Sequence, residues 1–217
     1  MSIEPNAAAI EIDELTIARG SMVLIRNATL KIEVGTMVAL RGPSGSGKTS
    51  FLRVIAGLDG ASGGRIRMGG SQWQSASANM KPASRVMLVH QTLALWPHLS
   101  ARANILTANK GSWPSTADGL IDALEIRGLL DRLPPAMSQG ERQRLAIVRA
   151  LGVTPKVLLL DEPTASLDRQ RTLTVMALLQ ERVRVGMSVV AVTHDPIVAA
   201  SCGRRLLLED SRIEEEG

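Results

Sequence analysis

Apolar positions along the 217-residue chain change their spacing several times, and each change predicts a different element. Ile10, Ile12, Leu15 and Ile17 alternate loosely with polar residues, Gly20-Ser21 interrupts, and Leu30, Ile32 and Val34 alternate strictly. A period of two puts one face on a core and the other in water, so Ile10 to Val34 reads as short antiparallel strands. Met37-Val38-Ala39-Leu40 is instead apolar throughout, as in a parallel strand covered on both faces, and it predicts a buried strand over Met37 to Arg41. Val86 to Val89, Val157 to Leu160 and Ser188 to Val192 repeat that texture. Helices are predicted over Thr49 to Ala56, Arg142 to Leu151 and Gln170 to Val185. Leu93 to Pro135 differs again: it holds Trp96, Trp113 and several prolines, and Leu120, Ile121 and Leu124 within Gly119 to Leu130 share one helical face. It reads as a helical insertion. Gly60 to Gly70 reads as turns flanking a short strand, Arg204 to Leu208 and a segment near Ile213 as closing strands, and Glu214 to Glu216 as a solvated acidic tail.

Composition narrows the picture only a little. The length suits one large domain or a domain with a subdomain. The net charge of +4 comes from Lys and Arg scattered among Asp and Glu, so no tract suggests a nucleic-acid arm or a membrane-binding patch. A single cysteine, Cys202, rules out an internal disulfide framework and suits a reducing compartment. Met1 to Glu14 carries Glu4, Glu11, Asp13 and Glu14 without a basic start and apolar run, so it does not read as a secretory signal. No apolar run approaches the length of a membrane span.

Candidate chemistry sits where the apolar runs end. Gly42-Pro43-Ser44-Gly45-Ser46-Gly47-Lys48-Thr49 follows Met37 to Arg41 and fits G-x-x-x-x-G-K-[ST], with a helix after it. Glycines let the chain wrap a triphosphate with inward N–H groups. Lys48 can then reach the β- and γ-phosphates and the Thr49 hydroxyl can ligate Mg²⁺, with Ser50 next on the helix. A Gly/Ser linker matching by accident is the alternative. Asp161 and Glu162 end the most apolar run; buried carboxylates there are costly unless they serve a cation or a reaction. They fit a Mg²⁺-holding aspartate and a glutamate that orients or deprotonates water, against an ordinary strand-to-loop transition. Gln91 and His194 stand at two further strand exits, where α/β folds place ligand contacts, although either alone is more often an ordinary polar residue. Ser138 and Glu141 stand in the S-x-x-E relation of a capping box, which serves either a helix start alone or a second anion site beside Gly140.

Taken in order, these motifs resemble the nucleotide-binding subunit of ABC transporters over nearly the whole chain. Gly42 to Thr49 matches the phosphate loop, Gln91 the Q-loop, Ser138-Gln139-Gly140-Glu141 the signature, Val157 to Glu162 the Walker B strand, Ser166-Leu167-Asp168 the D-loop and His194 the switch histidine. The resemblance implies an α/β fold: a phosphate-loop ATPase core of RecA-like type with a parallel sheet flanked by helices, an N-terminal antiparallel β-subdomain and an inserted α-helical subdomain. It implies one domain, 1–217, with 1–91 and about 152–217 as β-subdomain plus catalytic core and about 92–151 as the helical part. It further implies ATP and Mg²⁺ as ligands, with Gly42, Pro43, Ser44, Gly45, Ser46, Gly47, Lys48, Thr49 and Ser50 around the nucleotide and Thr49, Gln91 and Asp161 around the metal. Catalysis falls to Glu162, His194 and Gln91. Ser138, Gly140 and Asp168 would act across a head-to-tail homodimer or heterodimer with a related ATPase subunit, and integral membrane subunits would dock near Leu93 to His98. Such a protein sits in the cytoplasm, on the inner face of the membrane through those partners, and has no nucleic-acid partner.

Three departures qualify the resemblance. Met137, Gln139 and Glu141 replace three residues of the usual L-S-G-G-Q, while Ser138 and Gly140 remain. The family stacks adenine on an upstream aromatic residue, but the chain has no tyrosine and its one phenylalanine, Phe51, follows the loop, so Arg19 or Ile17 is expected to meet the base. The chain also ends soon after its last strand, which leaves no room for the regulatory domain of some importers; import and export stay open, with a slight tilt toward an exporter or a lipid and lipoprotein type system. A soluble ATPase of the same superfamily in DNA repair or translation, or a small-metabolite kinase, is the competing reading; the chain lacks the heptads or internal repeat of the first, and the second leaves Ser138 to Glu141 and His194 unexplained.

Overall fold

The computed structural model describes residues 8–68, 71–75 and 86–216. The N-terminal stretch through Ala7 and the pair Gly69-Gly70 closing the glycine-rich segment lie outside the described residues. The alternation that opens the chain forms two long strands rather than several short ones, β1 (Ala8–Arg19) and β2 (Met22–Glu33). Gly20, at φ +59°, and Ser21 turn between them. The alternation is loose for a structural reason. Ile12 and Leu15 are three residues apart, and the register slips between them where Glu14 takes φ +50°, so both side chains still reach the core. The Thr29 and Thr16 hydroxyls accept from the Glu14 and Asn27 N–H groups at 3.0 and 3.2 Å and hold the irregular stretch. With β4 (Gly63–Met68) and β5 (Ser71–Ser75) these strands form an antiparallel sheet in the order β2-β1-β4-β5.

The unbroken apolar runs build a second sheet, in the order β10-β9-β3-β8-β7-β6. It comprises β3 (Met37–Arg41), β6 (Val86–Val89), β7 (Val157–Asp161), β8 (Ser188–Val192), β9 (Arg204–Glu209) and β10 (Arg212–Glu215). All neighbours are parallel except β10, which runs antiparallel to β9. Leu158, Leu160, Val189 and Ala191 join the core on one face, whereas Leu159, Val190, Val192, Val38 and Leu40 join the core on the other. Burial on both faces is why alternation vanishes in these strands. β6 departs from that expectation: it is the edge strand, and of its four residues only Val89 is fully buried.

Six helices complete the described structure: α1 (Lys48–Ile55), α2 (Ala101–Ala108), α3 (Ala117–Ala123), α4 (Gln139–Gly152), α5 (Arg169–Arg184) and α6 (Pro196–Ser201). Phe51 on α1 packs between the two sheets, and α2 and α3 pack on α4. α3 is shorter than Gly119 to Leu130 predicts, because Glu125 takes φ +53° and a 3-10 turn over Arg127–Leu129 follows. Leu120, Ile121 and Leu124 are nevertheless buried together, as their spacing requires. Among the described residues, no helix is long and apolar enough to cross a membrane.

Candidate functional site

Parallel register brings the sequence motifs to one edge. Leu40 pairs with Val192, Asp161 with Val192 and Val89 with Leu160, so β3, β8, β7 and β6 end side by side. The loop Gly42 to Gly47, His194, Asp161-Glu162 and Gln91 therefore leave the sheet along one row, outside the carboxyl ends of its strands, where open α/β sheets form ligand crevices.

The loop is shaped by close approach. Gly42 has φ +147°, and a Cβ there would lie 2.2 Å from the Leu208 carbonyl oxygen of β9. Gly47, at φ +110°, starts α1 without a side-chain cap, and a Cβ on it would lie 2.9 Å from Leu24 of the first sheet. The N–H groups of the first turn of α1 thus lack a capping side chain and point out of the helix, the arrangement that receives an anion. The Ser46 hydroxyl is buried without a hydrogen-bond partner among the described residues. A phosphate oxygen would satisfy it, so the loop fits a nucleoside triphosphate.

Lys48 is 7% exposed and its Nζ donates to the Gly42 and Pro43 carbonyls at 2.7 and 2.6 Å. Burial pulls its pKa down, and the charges of Glu162 and Asp161 work in the opposite sense. Thr49 Oγ1 donates to Asp161 Oδ2 at 2.9 Å, which joins the loop helix to β7 across the end of β8. That hydroxyl–carboxylate pair is a hard oxygen donor set suited to Mg²⁺. Ser50 stands one residue further into α1, half-buried.

Glu162 follows Asp161 immediately but turns elsewhere, because it takes φ +52°. Its N–H donates to the Val192 carbonyl at 3.0 Å, and its Oε2 accepts from the His194 N–H at 3.3 Å. The His194 ring Nε2 lies 3.6 Å from Oε1. Burial pushes the Glu162 carboxyl above its ordinary value, partly offset by the His194 backbone and ring. The next turn is tied as well: Thr164 Oγ1 donates to Asp195 Oδ2 at 2.9 Å.

The other sequence candidates are not hydrogen-bonded to this group among the described residues. Gln91 is exposed in the turn after β6, and among the described residues no hydrogen bond joins it to Asp161, Glu162 or Lys48. Ser138 caps α4 with both halves of the capping box present: its N–H donates to Glu141 Oε2 at 2.7 Å and its Oγ accepts from the Glu141 N–H at 3.3 Å. A Cβ on Gly140 would lie 2.9 Å from the Ser166 carbonyl oxygen, so the first turn of α4 rests on the D-loop. Asp168 caps α5, accepting from the Arg171 N–H at 2.8 Å and pairing with its guanidinium. Arg19, at the end of β1, is ion-paired with Asp59 at 2.8 Å, and Arg53 of α1 bonds both oxygens of that carboxylate.

Two buried contacts escaped the sequence reading. Asn104 on α2 accepts from the Trp96 N–H and donates to the carbonyls of Trp96, Leu99 and Ser100. Arg149 on α4 donates to the carbonyls of Leu93 and Ala94. Backbone carbonyls carry no residue-type signal, so nothing in the composition marks these pairings.

Known proteins resemble this chain in sequence and in fold. The sequence profile of the ABC transporter family matches residues 25–165, well over half of the chain. The chain is 37% identical to a protein of Agrobacterium fabrum named Fe(3+) ions import ATP-binding protein FbpC, over the whole of this chain and 62% of that protein. It is also 37% identical to the sulfate/thiosulfate import ATP-binding protein CysA of Xylella fastidiosa, over 95% of this chain and 62% of that protein. It thus spans about 62% of the length of these relatives. A solved dimeric ATP-binding cassette, in a post-hydrolysis state with ADP and Pi, superposes with a TM-score of 0.83 at 27% identity, covering 95% of this chain and 97% of that one. With the profile match spanning the loop, the signature and the carboxylates of β7, the chain belongs to the ABC transporter family.

Proposed function

We propose that this chain binds and hydrolyses ATP and uses the cycle to drive transport through separate integral membrane subunits. The observation that carries the proposal is the meeting of Lys48, Thr49, Asp161, Glu162 and His194 at the carboxyl edge of one parallel sheet. The loop from Gly42 to Gly47, with Lys48 and Ser50, wraps the phosphates. Thr49 and Asp161, with Gln91, would hold Mg²⁺, which when bound would supply charge neutralisation at the phosphates. Glu162 orients the attacking water and takes its proton; a carboxyl raised by burial is suited to that task at neutral pH. His194 reads the γ-phosphate while its backbone and ring hold Glu162 in place.

The other half of the site comes from a second subunit, identical or related. Ser138 and Gly140 of the facing copy approach the γ-phosphate, Asp168 orders the contact between copies, and Arg19 meets the base. Residues 1–91 and about 152–217 act as β-subdomain and core, and about 92–151 act as the helical part that docks on the membrane subunits from the cytoplasmic side. The relatives described above are named as import ATP-binding proteins, which favours import over export.

Glu162→Gln tests the chemistry. It keeps the side-chain shape and removes the base, so ATP binding is expected within about twofold of wild type and turnover is expected to drop at least ~100-fold. Near-normal hydrolysis by this variant would remove Glu162 from the role given to it.

A further inference from the structure

Two of the three arginines of helix α4, Arg144 and Arg149, are each only 7% exposed. Both aim their guanidinium groups at main-chain carbonyls where the chain runs through left-handed backbone. Arg144 Nη1 donates to the Leu124 carbonyl at 2.5 Å and to that of Glu125, φ +53°, at 3.2 Å. Arg149 Nη1 donates to the Ala94 carbonyl at 2.6 Å and Nη2 to that of Leu93 at 2.8 Å, and these residues have φ +45° and +63°. Two consecutive non-glycine residues in this region are strained and persist only where the surroundings hold them.

Arg149 is otherwise an expensive residue. Its guanidinium lies 5.1 Å from the centre of the Trp96 ring, and among the described residues no carboxylate pairs with it. Burial pulls its pKa down to about 10, so it remains a cation at neutral pH. Arg144 has Glu125 at 3.6 Å, which in turn bonds Arg171 of α5 at 3.1 Å. A buried, unpaired cation is retained where its hydrogen bonds hold something in place. Here they hold the segment that follows Gln91, and Asn104 pins that segment's other end.

We propose that Arg149 is a positioning residue: by bonding the Leu93 and Ala94 carbonyls and stacking on Trp96, it locks the exit of β6 to α4. The segment carrying Gln91 and the helix headed by Ser138 and Gly140 then move as one body. The consequence for turnover rests on the role proposed above for Gln91, whereas the clamp rests on the bonds alone. Lysine does not substitute, because an ammonium has no planar face to stack on the indole while it bonds the two carbonyls.

The test compares the 217-residue chain with Arg149→Met and with Arg144→Met, a matched loss of a buried arginine from the same helix, each alone and combined with Ala94→Gly. In Arg149→Met, the Leu93 N–H, bonded to the His90 carbonyl at 2.7 Å, is expected to exchange at least ~10-fold faster, with α1 unchanged. Its kcat is expected to fall roughly 10- to 100-fold with KM for ATP within about twofold, since Lys48 and Thr49 do not touch this segment. Glycine at 94 takes a positive φ without strain, so Ala94→Gly should restore slow exchange and most of the kcat in Arg149→Met and nothing in Arg144→Met. If Arg149→Met does not fold, Arg149→Lys is read in the same way. Unchanged exchange at Leu93 overturns the clamp. Fast exchange with kcat within about threefold of wild type, or a kcat that Ala94→Gly leaves unrepaired, overturns the positioning role. Wild-type turnover by Gln91→Ala would instead remove Gln91 from catalysis, and the exchange result would still decide the clamp.

Discussion

Asp161 and Glu162 are neighbours in the chain with opposite surroundings. Asp161 ends β7, is 2% exposed and accepts from Thr49, whereas Glu162 leaves the strand at φ +52° and faces His194. A left-handed glutamate is strained, and such strain persists at sites the surroundings over-determine. Burial raises the Glu162 pKa, so its ionised form costs folding stability. That cost is absent when the group is protonated in both states, below its unfolded pKa near 4.3, and fully present above its raised folded value. Glu162→Gln is therefore expected to melt above wild type at pH 7, with the gap closing as pH falls below about 4.3, in thermal melts run across that range. An equal gap at every pH would show that burial does not perturb this carboxyl. Turnover should also fall on acidification from a higher pH than an ordinary glutamate would give.

Two helices show how an element's start sets what it can hold. α1 begins at a left-handed glycine with no capping side chain, which leaves its donors for phosphate. α4 begins with a complete capping box, which satisfies the Ser138 and Glu141 N–H groups before any ligand arrives. Accepting from the Glu141 N–H leaves the Ser138 hydroxyl its own proton to donate, so capping and phosphate contact are compatible. Ser138→Ala is expected to cost about 1 kcal/mol of stability as well as turnover. Ser138→Asp separates the two roles. Aspartate caps as well as serine, so the melting midpoint should hold, while its charge opposite a phosphate should abolish hydrolysis. Full ATPase activity in Ser138→Asp would confine Ser138 to capping.

At the scale of the whole molecule, the two sheets share a core through Phe51, Leu52 and Ile55 of α1, and the phosphate loop lies where they meet. Ser138 is not hydrogen-bonded to that loop among the described residues. On the proposed function, a site needing both would be completed by a second subunit, identical or related, as in the dimeric cassette that superposes on this chain. Specific activity should then rise with protein concentration until the dimer is filled, while ATP binding does not. Activity per mole that is flat down to fully monomeric samples, measured beside sedimentation, would contradict a composite site.

Much of this was legible in the residues themselves. Gly42 to Thr49, Asp161-Glu162 and the capping box of Ser138 and Glu141 are local: each is specified within a few residues by backbone conformation, strand ending or helix capping, so the sequence determines them. The alternating and unbroken apolar runs likewise separate the antiparallel sheet from the parallel one, because burial on one face or two leaves a different period. Tertiary structure alone decided the rest. The order β3-β8-β7-β6 brings Thr49 to Asp161 and His194 to Glu162, and β6 is an edge rather than a buried strand. Arg19 meets Asp59, and Arg149 reaches carbonyls 55 and 56 residues away. Those contacts depend on long-range register and on main-chain acceptors that every residue possesses, so the local pattern carries no trace of them.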